Sequence, residues 1–273
     1  MRKMNREEGF TLIELLVVIA IITLLMSVLM PALRKARESG KMMVCMSNLK
    51  TLTTAWYSYA IDNDDKLCGS WNYNAGNWGD PRDWAWAPWR VGGNAAVSDY
   101  FNATQEEKKE GVRKGVLFEY TDDVDCYHCP SDQSAGKNFR SYSLPDSLNG
   151  KWGKGKNGNA KWQDMKRLSQ LANPSQTYVL VEENDPRGYN INAWVINPND
   201  GKDSTSWSDP IVVWHGNRSG FGFADGHVEA WKWNNETLKL FRDLASWRQP
   251  TPQSEDGIYD LQRVLNSWPV PKR

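Results

Sequence analysis

Gly9-Phe10-Thr11-Leu12-Ile13-Glu14-Leu15-Leu16-Val17-Val18 opens the stretch whose reading decides the fold. Before it, Arg2, Lys3, Arg6, Glu7 and Glu8 make residues 1–9 a short charged leader. Residues 10–30 then carry a single charge, Glu14. A helix over that run, rising about 1.5 Å per residue, spans roughly 30 Å, the thickness of a bilayer's hydrocarbon core. A cleaved secretory signal would have a shorter apolar region and a small-residue site. Met30-Pro31-Ala32-Leu33-Arg34-Lys35 offers no such site. An ordinary single-span anchor leaves Glu14 unexplained, since an ionised carboxylate at membrane depth costs about 2.5–3.5 kcal/mol or more.

The periodic pattern continues beyond the apolar run. In residues 32–61 the positions Cys45, Leu49, Leu52, Trp56 and Tyr59 recur at spacings of 4, 3, 4 and 3, one face of an amphipathic helix. Asn63-Asp64-Asp65 supplies a stop. The spacing predicts one helix of about 50 residues, membrane-spanning over 10–31 and amphipathic over 32–61. Pro31 removes one helical hydrogen bond and crowds the preceding turn, so a kink is expected there.

Gly followed by an aromatic, Glu four residues further on and an unbroken apolar stretch resemble the processing site of the type IV pilin and type II secretion pseudopilin family. The resemblance implies cleavage between Gly9 and Phe10 by a prepilin peptidase, then N-methylation of Phe10. It also implies a single pass of the inner (cytoplasmic) membrane, with the N-terminus cytoplasmic and a periplasmic or extracellular head, residues 62–273. Charge alone does not orient the span, because Arg34, Lys35, Arg37 and Lys41 follow it as Arg2, Lys3 and Arg6 precede it. Pro31 falls where many family members carry a proline, and with Glu14 it is an expected assembly position. Cleavage would create an α-amino group on Phe10. A buried carboxylate needs a cationic partner, which the amine of a neighbouring subunit can supply. Glu14 then acts as a registry device.

Cys45-Met46-Ser47-Asn48-Leu49-Lys50, Tyr59-Ala60-Ile61-Asp62-Asn63-Asp64 and a His-(nine residues)-Asp-Gly signature at His215 and Asp225-Gly226 resemble a large-headed subset of the same family. The expected class is α+β: a long N-terminal helix packed on an antiparallel sheet with long irregular loops. Residues 66–110 read as irregular and 149–161 as a solvated loop. Strands are expected at 177–182 and 211–215. A hairpin is expected over 221–233, with Asp225-Gly226 as a two-residue type I′ turn. Residues 236–247 and 257–268 read as helical.

Basic and acidic residues balance at 33 each, so no single-sign field argues for nucleic acid. Four cysteines, Cys45, Cys68, Cys126 and Cys129, allow three pairings. Cys126-Tyr127-His128-Cys129 lacks the second close pair of a zinc site. A structural role is therefore expected, with Cys126 and Cys129 as a local disulfide or as halves of two bridges; no metal site and no cofactor are predicted. Family members often carry a structural calcium, but Asp122-Asp123-Val124-Asp125 shows no recognisable alternating-oxygen loop. His215, Asp225 and His227 form a candidate hairpin site if the chain folds back, against the simpler reading of turn chemistry and satisfied histidines. Glu182 and Glu183, adjacent on a strand, should point to opposite faces, one at the core edge and one in solvent. Trp71, Trp78, Trp84, Trp86 and Trp89 read as core or loop packing, or as an exposed aromatic surface.

No nucleophile elbow, phosphate loop or metalloprotease helix is present. The expectation is a non-enzymatic subunit of a pilus-like fibre or secretion pseudopilus, whose partners are the membrane, the prepilin peptidase/N-methyltransferase and other pilin-like subunits. The alternative is a membrane-tethered protein that presents its Trp-rich head to a glycan or surface.

Overall fold

The computed structural model describes residues 11–71, 81–132, 139–150, 164–183, 185, 193–196, 204–242 and 250–272. The chain divides into two compact units, residues 1–40 and 41–273. Helix α1 (Leu12–Asp62) supplies the described part of the first and begins the second.

In the first unit α1 is exposed along its whole length, including the apolar residues from Leu12 to Met30. It is the one helix among the described residues long and apolar enough to cross a membrane. The helix runs on through Pro31 without interruption.

The second unit is built on the predicted amphipathic face. Cys45, Leu49, Leu52, Trp56 and Tyr59 are all buried. The helix ends where Asp64 and Asp65 take positive φ and the Asp65 N–H reaches back to the Ala60 carbonyl at 2.8 Å, the 6→1 closure of a Schellman-type end. Side chains of α1 also reach the head directly. Asn48 Nδ2 donates to the His128 carbonyl at 2.9 Å, and Lys50 Nζ donates to the Gly226 carbonyl at 2.5 Å.

Four strands, β1 (Tyr142–Ser143), β2 (Tyr178–Glu182), β3 (Arg218–Phe223) and β4 (Val228–Lys232), form an antiparallel sheet in sequential order. The protein is thus α+β, as expected. One sheet face meets α1. Added Cβ atoms on Gly220 and Gly222 would fall on Leu49 and Thr53 of that helix. The opposite face, with Val181, Phe221, Phe223 and Trp231, is covered by α5 (Glu255–Asn266) through Leu261, Val264 and Leu265, with Trp268 beyond it.

This second core accounts for many of the tryptophans. The Tyr178 ring lies 5.3–6.5 Å from Trp194, Phe221, Trp231 and Trp268. Trp207 packs edge-on against Trp233 and Phe241. The rings sit in the offset and edge-to-face arrangements that aromatic quadrupoles favour.

Several sequence expectations need correction. Residues 211–215 form no strand. Ile211 makes one isolated bridge to Glu183, and Trp214 and His215 turn. The hairpin is present, but its loop has three residues: Phe223 bonds to the His227 carbonyl, and positive φ occurs only at Gly226. A type I′ turn would need it at Asp225 too. Residues 66–110, expected to be irregular, include the start of α2 (Gln105–Arg113), capped by a Thr104–Glu107 box. The short α3 (Phe118–Thr121) follows it, and the C-terminal helices are α4 (Asn235–Arg242) and α5.

Candidate functional sites

The helix start is the first candidate. Thr11 donates to Glu14 Oε2 through its backbone N–H at 2.8 Å and its hydroxyl at 2.7 Å. The Glu14 N–H returns a bond to Thr11 Oγ1 at 3.3 Å. This is a reciprocal capping box, Thr-x-x-Glu, which satisfies donors that a helix N-terminus leaves free. The sequence signal was present, yet reading Glu14 only as a membrane carboxylate passes over it. Gly9 and Phe10, the expected processing residues, lie outside the described residues.

The second candidate is a buried cluster where the head meets α1. Cys45, on α1, is disulfide-bonded to Cys129 across 84 residues, with 5.2 Å between Cα atoms. Cys126 is not its partner. It sits in a 3₁₀ turn, Asp125–Tyr127, with its thiol on the Asp123 carbonyl at 3.0 Å. Cys68 and Cys126 are free and buried. Burial comes first among the causes that push both thiols up, Cys126 to about 12.

Beside the bridge stands a buried acid–imidazole pair. His215 Nε2 lies 3.3 Å from Cys129 Sγ and 2.9 Å from Glu182 Oε1. Glu182 Oε2 accepts from the Gly220 N–H at 2.6 Å. His215 Nδ1 has no hydrogen-bond partner among the described residues. The expectation of one core-edge and one solvent glutamate is therefore wrong. Both are buried, because both sheet faces are covered, and Glu183 accepts from Ser143 Oγ at 2.5 Å.

The hairpin does not gather His215, Asp225 and His227 into one site. Asp225 Oδ1 and His227 Nδ1 pair at 2.5 Å at the exposed loop, while His215 contacts Cys129 and Glu182. The reason is the length of β3. Its six residues separate the His215 turn from the Asp225 loop, and at about 3.3 Å per residue they span roughly 20 Å. Of the Trp-rich segment, Trp71 and Trp84 are buried, and Trp86 and Trp89 are half-buried against each other at 5.2 Å. Trp78 lies outside the described residues. Among those described, the segment packs rather than offering an exposed platform.

A helix of this apolar exposure, capped at Thr11–Glu14 and running into an α+β head, defines a helix-anchored protein class. Residues 4–30 match the family described as the prokaryotic N-terminal methylation motif. Competence protein ComGC from Halalkalibacterium halodurans is 35% identical over 60 residues, 22% of this chain and 59% of the relative. The type IV wide pilus major component PilA4 of Thermus thermophilus is 44% identical over 61 residues, 22% of this chain and 47% of that protein. The chain thus spans about half the length of the curated relatives it matches. No solved structure matches it. The likeness lies in the N-terminal segment: residues 4–30 carry the methylation motif, and each relative aligns with about 60 residues of the chain.

Proposed function

We propose that the chain is cut after Gly9, methylated on Phe10 and assembled through α1 as a subunit of a pilus-like fibre or type II secretion pseudopilus. One observation carries the reading: the apolar residues from Leu12 to Met30 are exposed on all sides of α1, with one carboxylate at their start. Apolar surface of that extent calls for lipid before assembly and neighbouring helices after it. In the single chain Glu14 is occupied by Thr11. On assembly its carboxylate meets the Phe10 amine of the next subunit, a charged partner in place of neutral donors, and a subunit out of register leaves that carboxylate without a cation.

The head then lies on the extracytoplasmic side and the leader faces the cytoplasm. Mass spectrometry of the membrane-extracted protein tests processing: a methylated Phe10 terminus is expected, and an intact Met1 would refute it. For assembly, Glu14→Leu should be processed normally yet fail to enter filaments. Wild-type incorporation of that variant would remove the registry role.

A further inference from the structure

We propose that Cys45, Cys129, Glu182 and His215 form a tetrahedral site for a zinc-class divalent ion when the Cys45–Cys129 bridge is open. This position in the head would then hold either a disulfide or a metal ion.

One ligand atom from each of the four residues lies within 4.8 Å of every other, and all four residues are buried. They come from four separate places: α1, the turn after Tyr127, the end of β2 and the turn before β3. Zinc bonds of about 2.0–2.3 Å to nitrogen, oxygen and sulfur give a tetrahedron with edges of about 3.3–3.8 Å. The His215 Nε2 to Cys129 Sγ distance, 3.3 Å, already matches such an edge, and the Glu182 Oε1 to His215 Nε2 distance, 2.9 Å, needs only a small opening.

The surroundings fit a metal better than they fit a bridge alone. A disulfide requires neither an imidazole nor a carboxylate beside it, and apolar neighbours would be buried at lower cost. The Ser131 N–H points at Cys129 Sγ at 3.4 Å, a contact that favours sulfur in its anionic form. Glu182 Oε2 is held by the Gly220 N–H, which fixes the carboxylate and leaves Oε1 facing His215 and the sulfurs. Two thiolates and a carboxylate bring three negative charges, of which a divalent ion cancels two.

The exchange balances with a thiol or phosphine reductant. Two electrons break the S–S bond. A thiol reductant also gives up the two protons that complete the thiols and leaves as its disulfide. A phosphine takes the oxygen of one water molecule and leaves as its oxide, that water's two protons completing the thiols. Metal binding then releases both thiol protons to solvent, while His215 coordinates as the neutral imidazole.

The test uses the full chain in detergent micelles with Cys68→Ser and Cys126→Ser, so that the remaining thiols belong to the cluster. After anaerobic phosphine reduction and chelation, the chain is titrated with Co²⁺ and then Zn²⁺. One Co²⁺ per chain is expected, with the intense visible bands of tetrahedral cobalt–thiolate coordination, displaced by one Zn²⁺. The oxidised chain should take up neither. His215→Ala and Cys45→Ser should each weaken uptake more than about 10-fold, since even outer-shell changes cost that much. Three results would overturn the site: no stoichiometric uptake by the reduced chain, uptake that survives both substitutions, or equal uptake by oxidised chain. Circular dichroism covers the remaining case. A reduced chain that unfolds and is not refolded by one equivalent of Zn²⁺ also refutes the proposal.

Discussion

Gly222 of β3 lies directly against Thr53 of α1: a Cβ built on the glycine would come 2.1 Å from the Thr53 hydroxyl oxygen. Two residues earlier, Gly220 stands in the same relation to Leu49, at 2.4 Å from its Cδ1. Two glycines on one face of one strand therefore let the helix approach the sheet backbone. Gly222→Ala should destabilise the head by about 1–3 kcal/mol, the usual cost of overpacking. Gly220→Ala should cost less, because a leucine methyl can move and a β-branched hydroxyl bonded to the Leu49 carbonyl cannot. Urea midpoints for the two variants, at unchanged slope, check the order.

The capping box at the start of α1 is separable from the charge of Glu14. Thr11→Val keeps the shape and removes the hydroxyl, so the first turn should lose about 0.5–2 kcal/mol of local helix stability. Carbon chemical shifts of residues 11–15 in micelles report it directly. Unchanged helical shifts would mean that the box does not hold the turn.

Buried thiols should be inert. With Cys126 pushed up to about 12, first by burial and then by the Asp123 carboxylate, its thiol stays protonated at pH 8. Cys68 is raised further, by burial and then by Asp83. Only the thiolate reacts at an appreciable rate. Iodoacetamide should leave both unmodified in the folded chain and label both in denaturant, read by peptide mass spectrometry.

At the α4–α5 junction Glu236 accepts from the Ser254 hydroxyl and from the N–H groups of Gln253 and Ser254, at 2.8 and 2.9 Å. These bonds, the Ser254 hydroxyl first, hold its carboxyl below the usual range. A depressed folded pKa adds stability above the unfolded value, about 4.3, and that stability is lost as pH falls through the folded value. The stability gap between the parent and Glu236→Gln should therefore be present at pH 6 and close in acid. Ser254 is also the N-cap of α5, bonded by the Gly257 N–H. Ser254→Ala should cost about 1 kcal/mol. Thermal melts across pH separate the two effects.

What the sequence made legible were the features written locally. The buried stripe of α1 follows from a spacing of 3 and 4, and the 218–232 hairpin follows from Asp-Gly between β-favouring runs. The Thr104–Glu107 box that starts α2 is equally local, but it follows a long run of tryptophans and glycines that carries no helical period. The cysteine pairing and the His215–Glu182 contact were not legible. Each joins residues brought together only by packing of the helix on the sheet, across 84 and 33 residues respectively. Strand length defeated the hairpin site, since the span of β3 appears nowhere in a count of nine intervening residues.

The bridge between Cys45 and Cys129 also sets how the head answers a mechanical pull. Force applied along α1 and resisted at the C-terminus passes through the S–S bond and bypasses the chain between the two cysteines, which stand 84 positions apart. At about 3.3–3.6 Å per extended residue, roughly 280–300 Å of chain is withheld from extension. A stretched subunit with the bridge closed would lengthen by that much less than one with it open.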